Sequence, residues 1–433
     1  MPSSPPLGKS AYRAFSSPRW RCPVVARLRS RLRRFVLFLS ILGPGLITAS
    51  ADNDAPGIAT YSVAGSTFGY AFLWILVWVT VGEVVVQEMA SRMGVATGKG
   101  LTDLIRERFG VRLTFAVMLG LIVANLGTTA AQFAGVASSA ELFGVTRYIA
   151  VPLAAAGVWM LVLRGSYRRV ERVLLVLSLY AVGYVVSAFL VKPDWGEVLR
   201  YALVPTLRRD PDYLLAVLAT VGTTITPWAA VYMQATVADK GVRPEDYGYM
   251  RIDVMLGAAL GNVVSGFIII STAATLFVQG IRVESAEEAA VALAPLAGQW
   301  AQVLFGAGLL GASLLAAAVL PLATTYAVCE AFGWERGIDR RPKDAPVFYG
   351  LYTAFIVVSA LVVLIPGLRL FPLMWLSQVA NAVLLPIVLI VMLRLANDSR
   401  IMRAWRNRGL ANALVIVLTV LVVLATGLLI AGA

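Results

Sequence analysis

The sequence has no histidine. The commonest transition-metal ligand is therefore missing, and so is the side chain that moves protons most readily near neutral pH. Charge is scarce as well. Only 14% of residues are Asp, Glu, Lys or Arg, against 59% hydrophobic, whereas soluble globular chains carry about 25% charged residues; a soluble domain is excluded. The apolar segments do not alternate with polar residues in the runs of about ten that a transmembrane barrel requires. No nucleophile, base and oxyanion set can be assembled from the motifs, so the chain does not read as an enzyme.

What the chain does have is a succession of apolar runs of roughly 20 residues, each able to cross ~30 Å of hydrocarbon as a helix. Eleven can be counted, at about 35–64, 68–89, 113–142, 148–163, 173–190, 213–238, 254–278, 301–328, 347–365, 371–393 and 411–430. The fold class is an all-α polytopic membrane protein. The net charge of +13 does not point to nucleic acid, because roughly 30 of the 37 Lys and Arg fall on one side of the spans and about 7 on the other. That asymmetry places the N-terminus in the cytoplasm and, with an odd number of spans, the C-terminus outside. Cys22 and Cys329 both lie on or near the cytoplasmic side, which argues against a structural disulfide. Residues 1–34 hold Lys9 and eight arginines without an acid. A transit peptide has that composition, but topology already accounts for it, and the stretch reads as a disordered basic tail touching anionic lipid. Residues 35–395 form the core, and 396–433 an inner loop followed by a peripheral span.

Two places inside the apolar runs break the rules of an ordinary span. The first is GPGLITASADNDAPGIATY, Gly43 to Tyr61, where Asp52 and Asp54 stand beside Pro56 and Gly57. The second, five spans later, is VGTTITPWAAVYMQ, with Gly222, Thr223, Thr226 and Pro227 at mid-span. Pro and Gly interrupt the helical hydrogen-bond ladder, and interrupted helices at corresponding places in two halves are the sequence pointer to an inverted-repeat transporter. Spans one to five form one half on this reading, and spans six to ten the other.

Most acidic residues fall in loops and ends, leaving Asp52, Asp54, Glu83 and Glu88 inside spans with no Lys or Arg beside them. Buried carboxylates without a cationic partner stay protonated or find a cation elsewhere. Hard divalent cations want oxygen ligands, and magnesium binds through one or two carboxylates while keeping water. Asp54 offers charge, the unwound segments and Thr223 offer carbonyls, and Thr226 offers a hydroxyl. Sulfur and imidazole are absent from this core, which argues against selection for softer metals. Each residue also has a plainer reading. Asp54 can simply cap the second half-helix, and Asp52 is open between ligand and cap. Asn53 lies between them, a pathway candidate. Glu83 can be a protonated packing residue, Glu88 reads as structural, and Thr223 and Thr226 can bond a carbonyl one turn back. Asn125 and Thr128 lie on a polar stripe of span three with Thr129 and Gln132; Gln378 and Asn381 of span ten either join helices or line a pathway.

The GPG start and Asp-centred break, the run QEMASRMGVATGKGLTDLIRERFG from Gln87 to Gly110, the TITPW of span six and SQVANAVLLP from Ser377 to Pro386 together resemble the NRAMP family of divalent-metal transporters, over about residues 40–395. The resemblance implies a leucine-transporter-type inverted repeat of five plus five spans. It also implies a metal site at the two breaks. The family's usual Asp-Pro-Gly-Asn aligns with Asp54, Ala55, Pro56 and Gly57, so the Asp is kept and Gly57 stands where the Asn ligand would be. The family's Met-Pro-His becomes Thr226, Pro227 and Trp228, the second histidine position is Met233, and the acidic positions of the proton route are Asn125 and Thr128. These departures resemble the NRAMP-related magnesium transporters, which carry magnesium and manganese without evident proton coupling.

The resulting expectation is an uncoupled, alternating-access carrier of magnesium, and less selectively manganese, into the cytoplasm of a cell with an inner membrane. It needs no cofactor beyond its transported ion, and its partners are divalent ions and lipid rather than nucleic acid; a monomer suffices. Alternatives are a proton-driven manganese importer using Glu83 or Asp52, a sodium-coupled symporter of a small solute on the same fold, and a metal sensor that binds without flux.

Overall fold

A computed structural model describes residues 53–163, 182–208, 210–337 and 340–431, all within one unit, Leu42–Ala433. Among these residues the secondary structure is helical throughout. The remainder of span one is α1 (Ala55–Phe68), which turns through Gly69–Phe72 into α2 (Leu73–Thr97). Span three is α3 (Leu101–Leu142) and span four α4 (Arg147–Leu163). The described part of span five is α5 (Val182–Val191), followed by a short helix, α6 (Trp195–Leu203), in the connection to span six. Span six is two helices, α7 (Pro211–Thr224) and α8 (Pro227–Asp239). Then come α9 (Tyr247–Thr275), a loop helix α10 (Ala286–Val291), α11 (Ala301–Phe332), α12 (Pro346–Val363), α13 (Leu370–Asn397) and α14 (Gly409–Ile430). All eleven apolar runs thus contain helix. Asp52, Cys22 and the basic tail lie outside the described residues.

The helix ends differ from the hydropathy reading at the basic face. The apolar run of span two fades near Met89, yet α2 continues to Thr97, because Glu88 and Arg92, one turn apart, pair at 3.3 Å. The Arg92 guanidinium also donates to the carbonyls of Trp405 and Arg406 at 3.0 and 3.1 Å. Glu88 therefore does have a basic neighbour, contrary to the expectation that no Lys or Arg accompanies the carboxylates inside the spans. At the start of α3 the helix breaks at Gly110, φ +79°, a conformation that L side chains rarely adopt. A short helix before the membrane is thereby separated from the span itself. Pro321 sits inside the continuous helix α11.

Four spans of the first half touch their counterparts five spans later: α1 with α7, α2 with α9, α3 with α11, and α4 with α12. This is the contact pattern of a five-plus-five repeat. Lipid tails supply little hydrophobic drive between helices, so small residues that let backbones approach decide the packing. A Cβ on Gly65 of α1 would stand 2.6 Å from the Ile269 carbonyl oxygen of α9, and one on Gly135 of α3 would overlap Ala55 and Ser313. Gly222, one turn before the second break, lies so close to α13 that a Cβ would overlap the Gln378 carbonyl oxygen and stand 2.8 Å from the Ala382 nitrogen. The eleventh span, α14, lies against α13, α7 and α2 and buries only Val415, Thr419 and Val422, as a peripheral helix should.

Candidate functional site

The first break ends at Asp54, whose extended backbone (φ −76°, ψ 179°) makes it the N-cap of α1. Its Oδ1 accepts a 2.9 Å hydrogen bond from the Gly57 N–H, so the capping reading holds for this oxygen. The other oxygen does something else: Oδ2 accepts from Gln132 Nε2 of α3. Asp54 is buried, and a carboxylate at a helix N-terminus is favoured by the partial positive charge there. Asn53 turns the other way. Its Nδ2 donates to the Gly261 carbonyl at 3.2 Å and its Oδ1 accepts from Ser265 Oγ at 3.3 Å, both on α9. Gly57, proposed from the sequence as a ligand position, presents its N–H to Asp54.

The second break falls at Ile225 and Thr226. Pro227 opens α8 and has no N–H, so the Thr223 carbonyl loses the donor that an unbroken helix would have supplied. Thr226 is the N-cap of α8, but its side chain makes no capping bond. Its buried hydroxyl has no hydrogen-bond partner, and so does not fold back onto the preceding turn. Thr224, beside the break, shares a 2.9 Å hydrogen bond with the Tyr61 hydroxyl of α1, which ties the two broken spans together. The carbonyl end of α7 carries partial negative charge, and it points into the same break.

Around these breaks stand neutral oxygens in reserve. Gln132 Oε1, Asn381 Oδ1, Asn125 Oδ1 and Thr220 Oγ1 are buried without a partner, an uncommon state for buried polar atoms. Their other ends are fixed. Asn381 Nδ2 donates to Thr128 Oγ1 at 3.1 Å and to Gln378 Oε1 at 3.0 Å. Asn125 Nδ2 donates to Thr324 Oγ1 of α11 at 2.7 Å. Asn381 therefore joins α13 to Thr128 of α3, and Asn125 joins α3 to α11, whereas the side-chain bonds of Gln378, to Ser377 and Asn381, stay within α13. Glu83 sits elsewhere on the polar network. It is fully buried, accepts from Gln87 Nε2 at 2.6 Å, and accepts from Asn262 Nδ2, whose neighbour Gly261 holds Asn53. Among the described residues no three Asp, Glu or Cys side chains converge on a metal position; the charge at the breaks is that of Asp54, surrounded by neutral oxygens.

Sequence reasoning located the break of span six and the helix start at Asp54, the residues before Asn53 lying outside the described ones, but missed Gln132 as the partner of Asp54, the seat of Asn53 on α9 and the role of Asn262. Gln132 had a signal, being one helical turn beyond Thr128 and Thr129 on the stripe of span three. Cavities open at opposite ends of the core. One, of about 230 Å³, includes Thr67, Asp212, Glu284 and Arg369 at the acidic-loop face. The other, of about 300 Å³, includes Thr236, Asp239, Glu330 and Arg336 at the basic face.

Residues 45–432 match the family described as natural resistance-associated macrophage protein-like. The divalent metal cation transporter MntH of Aeromonas hydrophila is 30% identical over 386 residues, covering 87% of this chain and 91% of the relative. The MntH of Yersinia pestis is 31% identical over 294 residues, 66% of this chain and 71% of its own. A manganese transporter structure from Eremococcus coleocola superposes with a TM-score of 0.73 at 22% identity, covering 92% of this chain and 88% of that one. MhsT in complex with L-phenylalanine superposes with a TM-score of 0.56 at 15% identity, over 90% of this chain and 98% of that one, a likeness of fold. The paired breaks, the five-plus-five contacts and these matches lead to one conclusion: the chain belongs to the Nramp family.

Proposed function

We propose that the chain is a divalent metal cation transporter whose cargo is magnesium, with manganese accepted less selectively. It moves that ion into the cytoplasm by alternating access, without a coupled proton. The MntH relatives are named as divalent metal cation transporters and the Eremococcus protein as a manganese transporter, which supports the ion class. One observation carries the finer reading. The two breaks hold one described carboxylate, Asp54, a buried hydroxyl without a hydrogen-bond partner, Thr226, and the Thr223 carbonyl, whose helical donor would be the N–H that Pro227 lacks. That set is all hard oxygen, with no thioether or imidazole to favour a softer ion. The small side chain of Gly57 leaves space for an ion that keeps part of its water.

The driving force follows from charge. With the basic face toward the cytoplasm, the membrane potential favours inward movement by about 2.3 kcal/mol per charge per 100 mV, and a divalent ion gains twice that. Asp54, fixed by Gly57 and Gln132, holds the ion against the carbonyl end of α7, and the cavities at the two faces are its alternate exits. Where a proton route would need ionisable groups on span three, Asn125 and Thr128 are neutral and hydrogen-bonded. Flux in proteoliposomes, comparing magnesium, manganese and calcium for wild type and Asp54→Ala, tests the reading; normal magnesium flux in the variant would overturn it.

A second reading has one observation in its favour. Glu83 is a buried carboxylate linked through Asn262 and Gly261 to Asn53, beside Asp54, and it fits a proton-driven manganese importer. Magnesium flux with an internal pH dye separates the two, because acidification that tracks the metal would sink the uncoupled mechanism.

A further inference from the structure

We infer that the furrow between α2 and the peripheral helix α14 is a binding site for a phospholipid with an anionic headgroup, seated at the basic face. The headgroup end is a cavity of about 440 Å³ among the ends of α2, α9 and α14. Four arginines line it, Arg92, Arg251, Arg406 and Arg408, against one carboxylate, Glu88. Glu88 is already engaged by Arg92 and by the Tyr247 hydroxyl, and Arg92 by the loop carbonyls. Arg251, Arg406 and Arg408 are exposed and have no acidic partner among the described residues. Tyr247 and Trp405 meet edge to face at 5.1 Å beside them, the residue pair expected at headgroup depth. Three unpaired guanidiniums at that depth match a phosphate, whose oxygens take the guanidinium fork bidentately.

The apolar continuation commits the site to a lipid. A second cavity, about 480 Å³ and almost wholly apolar in its lining, adjoins the first and shares Leu414 with it. On α2 the lining residues Trp74, Trp78, Val81, Val85, Glu88 and Arg92 recur at alternating steps of four and three, which is one helix face. On α14 the matching line is Leu410, Leu414, Val417, Leu421 and Ala425. Fifteen residues of helix rise about 22 Å, more than one leaflet of a ~30 Å core, so the furrow accommodates an acyl chain along its length.

The test uses the full chain, purified and titrated with dioleoyl phosphatidylglycerol or dioleoyl phosphatidylcholine under native mass spectrometry. Wild type should retain phosphatidylglycerol at least thirty-fold more tightly. The double variant Arg251→Gln, Arg408→Gln should lose that preference by about thirty-fold, the equivalent of about 1 kcal/mol for each arginine, with phosphatidylcholine retention unchanged as the control for folding. Leu414→Trp, which fills the junction of the two cavities, should weaken both lipids. Equal retention of the two lipids by wild type, or undiminished preference in the double variant, overturns the site. Displacement of the bound lipid by millimolar inorganic phosphate would assign the arginines to free phosphate and overturn the lipid assignment.

Discussion

At the first break a carboxylate is held from two directions, by a backbone N–H and by the Gln132 amide, whereas at the second a hydroxyl of equal burial is held from none. Both breaks use a proline in the first turn of the following half-helix, so the backbone device is shared and the side-chain arrangement is what differs. A fixed charge sets where a cation will sit and costs no rearrangement when it arrives. An open hydroxyl, by contrast, is available to the ion or its water without first giving up a bond. The pair reads as one positioned arm and one receptive arm.

The comparison breaks most sharply at the charge. Asp54→Asn keeps an acceptor for the Gly57 N–H but removes the negative charge and turns the oxygen that accepts from Gln132 into a donor; magnesium flux should fall by 100-fold or more, since losing one partner of a buried charge pair costs about 3 kcal/mol or more. If flux survives, Asp54 is a cap alone. Thr226→Val tests the receptive arm. It should raise the apparent KM for magnesium about ten-fold, or about 1.4 kcal/mol, with Thr226→Ser close to wild type in the same flux assay. Gln132→Leu should cost less, about five-fold, worth about 1 kcal/mol for one hydrogen bond. Because it leaves the charge in place and frees its position, the loss should appear in discrimination between magnesium and calcium as well as in rate.

The smallest effect concerns a carboxylate cap outside the spans. Asp398 accepts from the Arg400 N–H at 2.8 Å and pairs with Arg108 at 2.6 Å; that backbone bond first, and the Arg108 bond and charge second, hold its carboxyl below the usual value. A depressed folded-state pKa gives stability that is present above the ordinary carboxylate pKa and lost as pH falls through the depressed one. The melting temperature of wild type should therefore exceed that of Asp398→Asn slightly at pH 7, with the gap closing below about pH 4. A gap that widens on acidification would show the cap acting through something other than charge.

Much of this was legible in the sequence because it is local. Proline without an N–H, glycine beside it and aspartate in an apolar run announce a broken helix wherever they stand. The partners were not legible. Gln132 lies 78 residues from Asp54, and which face of span three meets the break depends on helix packing that small residues such as Gly135 set by contact. The inner end of span two escaped hydropathy for a related reason: Arg92 reads as loop until its loop carbonyls are known. The family resemblance implied ligand positions at the two breaks, but it did not reveal that Asn53 is anchored to α9.

One missing methyl group has a kinematic consequence. Because Gly222 brings α7 against the Gln378 carbonyl with no slack, neither helix can slide along the other without steric overlap. The expected outcome is that α7 and α13 move together, with the joint at Ile225 and Thr226. Spin labels on those two helices should keep one spacing whether the protein is metal-free or metal-loaded, while labels across the joint change theirs. On the proposed alternating-access mechanism the site stands at the fulcrum, where a bound ion is displaced least as access passes from one face to the other.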